Sequence, residues 1–138
     1  MQREIFVDAG AWIALNDRSD QHHASAVRFY QSLLQERRPL VTTNLVVTEA
    51  SITIRRAGGY EPALRFLVSL RQSSRLLRVY SDSRLEDAAE EILRRYADQV
   101  FSMVDAVSFA IMQQRGIIEA FGFDRHFVTA GFAILPAA

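Results

Sequence analysis

The chain has 138 residues and a mass of 15.6 kDa, with 49% hydrophobic and 23% charged residues. This length suffices for one buried core and is short for two ordinary domains, so we expect one domain over residues 1–138. Because there is no cysteine, disulfides, thiolate zinc sites and cysteine nucleophiles are excluded. All 16 basic residues are arginine, which also excludes mechanisms that depend on a Schiff-base lysine or a P-loop lysine.

The N-terminal segment does not have the layout of a secretory signal, because Glu4 and Asp8 fall within its first apolar stretch. Elsewhere no unbroken apolar run approaches the roughly 18 residues that a membrane-spanning helix requires. These features predict a cytoplasmic protein without membrane contact.

Short apolar segments alternate with longer segments of helical periodicity along the chain. The predicted elements, in order, are a strand over 5–7, helices over 9–15 and 21–35, a strand over 40–42, helices over 44–56 and 62–72, a strand over 76–80, helices beginning at Ser83 and Ser102, and strands over 117–123 and 132–135. Pro39 ends the second helix, and Gly58 and Gly116 end later ones.

Strands that alternate with helices indicate an α/β fold. We expect three layers, with a central, mainly parallel five-stranded sheet flanked by helices. Ligands of such sheets bind at the carboxyl ends of the strands, where the strand order changes direction. Residues that directly follow a predicted strand are therefore the candidates for chemistry.

Two aspartates follow predicted strands. Asp8 comes directly after the first strand, and Asp124 comes directly after the strand over 117–123. Each also has a purely structural interpretation, since an aspartate at such a place caps the next helix or forms a turn.

Glu49 is predicted to face inward, because it shares one helix face with Leu45, Ile52 and Arg56. A buried carboxylate requires a cation, which could be a metal ion or the guanidinium of Arg55 or Arg56.

Asp105 lies three residues after Ser102, which is the spacing of a capping box at the start of a helix. Phe109 and Met112 continue the helix face that carries Asp105, and they indicate that this face also points inward. Both a capping role and a functional role therefore remain open.

Each of these acidic residues is a weak signal alone, but together they can converge above one edge of the sheet. Two carboxylates about 4 Å apart repel by about 4 kcal/mol at an effective dielectric constant of 20. Four carboxylates therefore need protons or a divalent cation, and oxygen ligands favour magnesium or manganese over zinc. Such an ion polarises a phosphodiester and lowers the pKa of water, so the cluster predicts a phosphodiester-cleaving centre.

Four segments that carry these acids, residues 7–15, 43–49, 102–110 and 121–127, closely resemble the acidic motifs of PIN-domain ribonucleases. Their order and spacing are similar to those of VapC-type toxins from toxin–antitoxin pairs. The third and fourth segments are the most specific ones.

The resemblance implies that Asp8, Glu49, Asp105 and Asp124 form an acidic quartet that binds Mg²⁺, or Mn²⁺ in its place, and catalyses RNA hydrolysis. It also implies that Ser102 supports the quartet, and that water is the nucleophile. Ala9 departs from the family, which often has a hydroxyl residue there.

The resemblance further implies an RNA substrate, a cognate antitoxin protein and a homodimer as partners. Arg55, Arg56 and Arg125 are candidates for contacts with RNA or antitoxin, although a solvated helix end explains the first two equally well. If four acids lie in one site, twelve acidic residues and sixteen arginines remain on the rest of the molecule. The result is a modest surplus of positive charge for phosphate contacts.

His22 and His23 are adjacent on a predicted helix start and point about 100° apart, so we expect an exposed helix start and not a shared metal ion. His126 lies near the proposed centre, and we expect it to pack or to form hydrogen bonds. Trp12 is predicted to be core.

Other functions are compatible with aspartates at strand ends. A receiver domain would require a lysine that the chain lacks, and a dehalogenase-type phosphatase would require an aspartate where Gly10 stands. A free-standing RNA-processing PIN nuclease and a non-catalytic PIN-like binding domain also remain open; such binding domains tend to lose quartet acids, and this chain has all four.

Overall fold

The computed structural model describes residues 3–137. Its strands are β1 (Ile5–Val7), β2 (Leu40–Thr43), β3 (Leu76–Val79), β4 (Glu119–Phe121) and β5 (Ala133–Leu135). Its helices are α1 (Ala9–Asn16), α2 (His23–Gln35), α3 (Asn44–Gly58), α4 (Tyr60–Gln72), α5 (Ser83–Arg95), α6 (Met103–Arg115) and α7 (His126–Thr129). None of the helices in this described part of the chain combines the length and the apolar character needed to cross a membrane.

The five strands form one parallel sheet in the order β3-β2-β1-β4-β5. The chain moves from β1 outward to β3 and then returns to the other side of β1, so the strand order changes direction between β1 and β4. Val7 is in register with Phe121 across this pair. The fold therefore opens its crevice at the carboxyl ends of β1 and β4, which is where Asp8 and Asp124 follow.

Helices cover both faces of the sheet. On one face, Phe29 of α2 packs edge-on against Phe121 of β4, with ring centroids 5.0 Å apart. On the other face, Phe127 of α7 packs against Phe6 of β1 and against Phe109 of α6. The predicted three-layer α/β architecture with a five-stranded sheet is thus confirmed, and the sheet is entirely parallel.

Trp12 belongs to the core, as its position after a buried strand predicts. Its ring packs against Tyr30 and Phe66. Its indole nitrogen donates to the hydroxyl of Thr42 over 3.4 Å, and that hydroxyl donates to the carbonyl of Val7 over 2.8 Å. This chain of bonds ties α1 to the ends of β1 and β2.

Ion pairs tie together the amino-terminal edge of the sheet, opposite the crevice. Arg115 donates two hydrogen bonds to the carboxylate of Glu4, at 2.7 and 3.0 Å. Arg38 contacts Glu119 at 2.9 Å, and Arg3 contacts the same carboxylate at 3.6 Å. Acidic side chains at this edge are therefore neutralised by arginine.

The structure departs from the sequence predictions near the ends of elements. β4 ends at Phe121 instead of residue 123: the Gly122 amide still donates to the carbonyl of Leu135 in β5, and the chain bends at this point. Asp124 consequently lies in a loop, three residues beyond the strand. The four-residue helix α7 was not predicted, since it is too short to show helical periodicity.

Phe109 offers a test of the core on which this crevice rests. Its fully buried ring contacts the rings of Phe101, Phe127 and Phe132, with centroids 5.0 to 5.8 Å apart. We expect Phe109→Ala to lower the free energy of unfolding by about 3–5 kcal/mol in urea denaturation, because it leaves a cavity. Val100→Ala is the control: this side chain is 88% exposed, and its truncation should change stability by less than about 0.5 kcal/mol. Equal effects of the two substitutions would contradict the packing described here.

Candidate metal centre

Asp8 is the deepest acidic side chain of the crevice. It follows β1 and stands at the N-cap position of α1, yet its side chain makes no capping hydrogen bond, so the capping interpretation does not explain it. The residue is only 7% exposed. Its backbone amide donates to Phe121 at 2.9 Å, which fixes Asp8 against the end of β4.

Gly122 makes room for the Asp8 side chain. A Cβ atom added to Gly122 would lie 3.1 Å from Cβ of Asp8 and 3.6 Å from one of its carboxylate oxygens. The first distance is shorter than most carbon–carbon contacts, so a larger residue would push the Asp8 side chain away. The absence of a side chain at Gly122 therefore allows β4 to approach the carboxylate closely.

Asp105 caps its helix and also reaches the crevice. It forms the predicted capping box: its amide donates to the hydroxyl of Ser102 at 3.0 Å, and its Oδ2 accepts from the amide of Ser102 at 3.1 Å. The side chain is 13% exposed and also reaches the crevice. There its Oδ2 lies 3.1 Å from Nδ1 of His126. Both bonds use Oδ2, which leaves Oδ1 available for a further ligand.

Asp124 and His126 approach Asp105 from the loop after β4. Oδ1 of Asp124 accepts the backbone amide of His126 at 2.9 Å and lies 3.6 Å from the imidazole Nδ1. Ligand atoms of Asp105, Asp124 and His126 all lie within 4.8 Å of one another, which is close enough to bind a common ion. Two of the predicted acids are thus brought directly together.

Glu49 does not face inward, and this prediction is wrong. The core face of α3 consists of Val46, Val47, Ala50 and Ile54, whereas Glu49 is exposed. The spacing argument chose the wrong stripe of the helix, because Ile52, taken as an inward neighbour, is itself 47% exposed. The salt bridges among residues 3–137 include none from Glu49 to Arg55 or Arg56 either. Glu49 lies at the rim of the crevice.

Although it is exposed, Glu49 belongs electrostatically to the other three acids. Partial burial raises its pKa above the usual value, and the charges of Asp105 and Asp124 raise it further. Burial raises the pKa of Asp8 to about 7; the Ala9 amide lowers it, while the charges of Asp105, Asp124 and Glu49 add to the increase. The charges of Asp105 and Asp124 therefore destabilise the charged forms of Asp8 and Glu49.

No arginine compensates this cluster. Within residues 3–137, the salt bridges of arginine go to Glu4, Glu90, Glu91 and Glu119, and none goes to the four crevice acids. The donor set consists of carboxylate oxygens with one imidazole, and oxygen donors of this kind suit Mg²⁺ or Mn²⁺. Asp8 and Glu49 lie outside the group of ligand atoms within 4.8 Å, but Asp8 is nearly buried, contacts no arginine within residues 3–137 and feels the charges of Asp105 and Asp124. This charge arrangement fits a divalent cation.

The remaining predicted residues lie around the crevice or away from it. Ser102 is exposed and acts through its cap on α6. Arg125 is exposed in the loop that carries Asp124, and Arg55 and Arg56 are exposed in the last turn of α3, where Arg55 lies over the ring of Tyr60. His126 forms hydrogen bonds as expected.

The two adjacent histidines are half-buried, so the expectation of an exposed helix start is wrong. His23 binds the carbonyl of Ala14 through Nδ1 at 2.6 Å, and His22 stacks on the ring of Phe123. In the part of the chain that the structure describes, neither of them belongs to a group of potential metal ligands.

Comparison with known proteins agrees with this geometry. The family model of the PIN domain matches residues 5–133. The chain belongs to the PIN-domain family. The family likeness recognised in the four acidic segments is therefore confirmed, and the members of this family are nucleases that act on RNA.

Curated relatives and a solved structure are similar over nearly the whole PIN domain. The 23S rRNA-specific endonuclease VapC20 of Mycobacterium tuberculosis, from two strains, is 36% identical over 129 residues, which are 93% of this chain and 95% of the relative. The crystal structure of the same organism's VapC20, described as a sarcin–ricin loop cleaving toxin, superposes with a TM-score of 0.83 at 34% identity. That match covers 94% of this chain and 96% of the other.

The bond from His126 to Asp105 is a contact in the crevice that the sequence does not predict. The sequence shows that His126 lies two residues after Asp124. The contact of His126 with Asp105 of α6 depends on the turn into α7, which the sequence does not show. The imidazole holds Oδ2 of Asp105 together with the Ser102 amide, so it fixes the direction of Oδ1.

The raised pKa of Asp8 gives a pH-dependent stability for the protein in EDTA. Well below pH 3.8 both folded and unfolded chains carry the proton on Asp8. Between 3.8 and about 7 the unfolded chain loses this proton while the folded chain retains it, so stability falls as pH rises, by up to about 1.4 kcal/mol per unit. Above pH 8 the loss is complete and the dependence on Asp8 ends.

Urea unfolding of the wild type and of Asp8→Asn at pH 4.5, 6 and 8 measures this effect. The variant should gain stability relative to the wild type as pH rises, because asparagine has no charge to bury. A stability difference that stays constant across this range would show that the Asp8 carboxyl is not perturbed.

His126→Ala should weaken Mn²⁺ binding about 10- to 100-fold, the usual cost of losing a group that orients a metal ligand. Isothermal titration calorimetry measures the affinity. Thr129→Ala is a control in the same short helix, since within residues 3–137 the one hydrogen bond of its exposed side chain goes to the Arg125 carbonyl at 3.4 Å. An unchanged Mn²⁺ affinity in His126→Ala would exclude the orienting role.

Proposed function

We propose that this chain is a divalent-metal-dependent endoribonuclease, the toxin of a toxin–antitoxin pair, with Asp8, Glu49, Asp105 and Asp124 as its catalytic and metal-binding residues. The observation that carries the proposal is the uncompensated acidic crevice at the carboxyl ends of β1 and β4. In a chain with sixteen arginines, acids at the opposite edge of the sheet are paired with arginine, whereas within residues 3–137 these four acids contact no arginine and only His126 reaches two of them. Such a charge arrangement favours a cation supplied from solution.

The residues of the crevice divide the work of binding and catalysis. Asp8, Asp105 and Asp124 would hold Mg²⁺, or Mn²⁺ in its place, through their carboxylate oxygens. Glu49 at the rim would orient the attacking water and accept its proton. When bound, the ion supplies Lewis-acid polarisation of the phosphodiester and lowers the pKa of water. His126 and Ser102 hold Asp105 in position.

The substrate we propose is RNA in a single-stranded or loop region. VapC20 is named for action on 23S rRNA, and its crystal structure is described as that of a toxin that cleaves the sarcin–ricin loop. Identity of 36% over most of both chains makes an RNA hairpin of this loop the first substrate to test. The place of action would be the cytoplasm, where ribosomal RNA is found.

For partners, we propose a cognate antitoxin and a second copy of this chain. Ile52 of α3 and Leu64 and Val68 of α4 are large apolar side chains that are 40 to 47% exposed, so this helix pair offers an apolar surface. Arg55 and Arg56 at the end of α3 lie beside it and could contact RNA or antitoxin.

The test is cleavage of a labelled sarcin–ricin hairpin RNA with and without Mg²⁺. We expect the wild type to cleave it with Mg²⁺ and not in EDTA. Asp8→Asn and Asp105→Asn should each reduce kcat by more than about 10³-fold, because the ion loses a charged ligand. Asparagine preserves the shape of the side chain, so circular dichroism should show an intact fold.

Asp87→Asn is the matched control, since Asp87 is exposed on α5 and makes no salt bridge with any residue that the structure describes. It should cleave at the wild-type rate. Full activity of Asp8→Asn, or cleavage that EDTA leaves unchanged, would overturn the proposed centre. Magnesium-dependent cleavage of a mixed RNA pool, without cleavage of the hairpin, would support the proposed ribonuclease activity and reject the hairpin as its substrate.

A further inference from the structure

A groove beside the acidic crevice has no role in the function proposed so far. It has a volume of about 510 Å³ and lies between one face of α2 and the chain that follows β4 and β5. His22, Ser25 and Arg28 line it from α2, and Phe123 and Pro136 line it from the other side. A volume of this size falls in the range of sites for small ligands.

Phe123 connects the groove to the crevice, because it lines the groove and is the chain neighbour of a crevice acid. Phe123 directly precedes Asp124, and its ring lies 3.8 Å from the position of a Cβ atom on Gly10, two residues after Asp8. A strand of RNA whose phosphate reaches Asp8 and Asp124 would therefore have a neighbouring nucleotide next to Phe123.

The surface of the groove is aromatic. The rings of His22 and Phe123 are stacked, with centroids 4.0 Å apart and an angle of 4° between their planes. This is the geometry in which a nucleobase stacks on an aromatic side chain. The backbone of His22 is held in place, since its amide donates to Asp20 at 2.8 Å and its carbonyl accepts from Ala26 at 2.9 Å. The platform is thus formed before any ligand arrives.

The charge of the groove suits a nucleotide. Arg28 is exposed and forms no salt bridge with any residue between 3 and 137. The lining includes no acidic side chain, in contrast to the crevice a few residues away. A free guanidinium beside an aromatic stack is able to bind a phosphate while the stack binds the attached base.

We propose that this groove binds one nucleotide of the RNA substrate next to the scissile phosphate, with its base continuing the His22–Phe123 stack and its phosphate bound by Arg28. The inference rests on the proposed ribonuclease function and adds a subsite for substrate recognition. His22 and Arg28 are binding residues of this subsite and take no part in the bond-breaking step.

The experiment compares cleavage of the labelled sarcin–ricin hairpin by the wild type, His22→Ala, His22→Phe and Arg28→Gln. His22→Ala should raise KM about 5- to 100-fold, the effect of losing one base–aromatic stack, with kcat almost unchanged. His22→Phe should restore most of the affinity because it keeps a planar ring. Arg28→Gln should weaken RNA binding. It should also make the fall of log affinity with log salt concentration less steep, by about one unit of slope.

Arg18→Gln is the matched control for charge. Arg18 is exposed in the loop before α2, forms no salt bridge within the described chain and lies outside the groove. It should leave KM and the salt slope unchanged if Arg28 acts by direct contact. Equal effects of Arg18→Gln and Arg28→Gln would reject the contact with phosphate.

A series of hairpins with single abasic sites around the cut identifies the bound nucleotide. At one position the abasic site should raise the KM of the wild type as much as the His22→Ala substitution does. The same abasic site should cause no further rise in the KM of the His22→Ala variant. Abasic effects that add fully to His22→Ala at every position would overturn the proposal. So would wild-type kinetics of His22→Ala on the intact hairpin.

Binding measured separately from cleavage keeps the two proposals distinguishable. Fluorescence anisotropy of the same labelled hairpin in EDTA reports RNA binding even when no RNA is cut. Absence of cleavage by the wild type, with binding that His22→Ala weakens, would reject the nuclease and keep the subsite. Cleavage by the wild type, with equal binding by His22→Ala, would reject only the subsite.

Discussion

Repulsion among four acidic side chains at the carboxyl end of the sheet is the interaction on which the candidate metal centre depends. Asp8, Asp105, Asp124 and Glu49 raise one another's energy when charged, and burial raises the pKa of Asp8 to about 7. The fold does not relieve this repulsion with arginine, although it does so at the opposite edge, where Arg115 binds Glu4 and Arg38 binds Glu119. An acidic cluster without arginine partners lowers the free energy of unfolding. Sites that bind cations commonly show this loss of stability, because the bound cation removes the repulsion.

The parallel sheet creates the cluster, and the helices shape it. β1 and β4 are neighbours although a long stretch of chain separates them, and their carboxyl ends place Asp8 and Asp124 in one crevice. The start of α6 adds Asp105 from the other layer. The same carboxylate closes the capping box with Ser102 and meets His126. The start of α6 thereby fixes the position of this carboxylate in the crevice.

Sequence patterns predicted the order of strands and helices well, because alternating β and α segments of this composition have few other ways to bury their apolar faces. The sequence singles out Asp8, Asp105 and Asp124 because they follow strands or begin a helix, and the structure places Asp105 and Asp124 within reach of one another. The orientation of Glu49 was wrong, since periodicity alone did not decide which stripe of α3 meets the core. Contacts that depend on tertiary structure, such as His126 with Asp105 and His22 with Phe123, left no local pattern that could reveal them.

Gly122 has a consequence for the evolution of this site. A Cβ atom at this position would lie 3.1 Å from the Cβ of Asp8, so a larger residue requires a shift of a few tenths of an ångström in one of the two chain segments. A homologue that retained all four acids but carried alanine or a larger residue here would keep the motif while Asp8 moved relative to the other acids. The identity of this one small residue is thus a criterion for an intact crevice that is independent of the acids themselves.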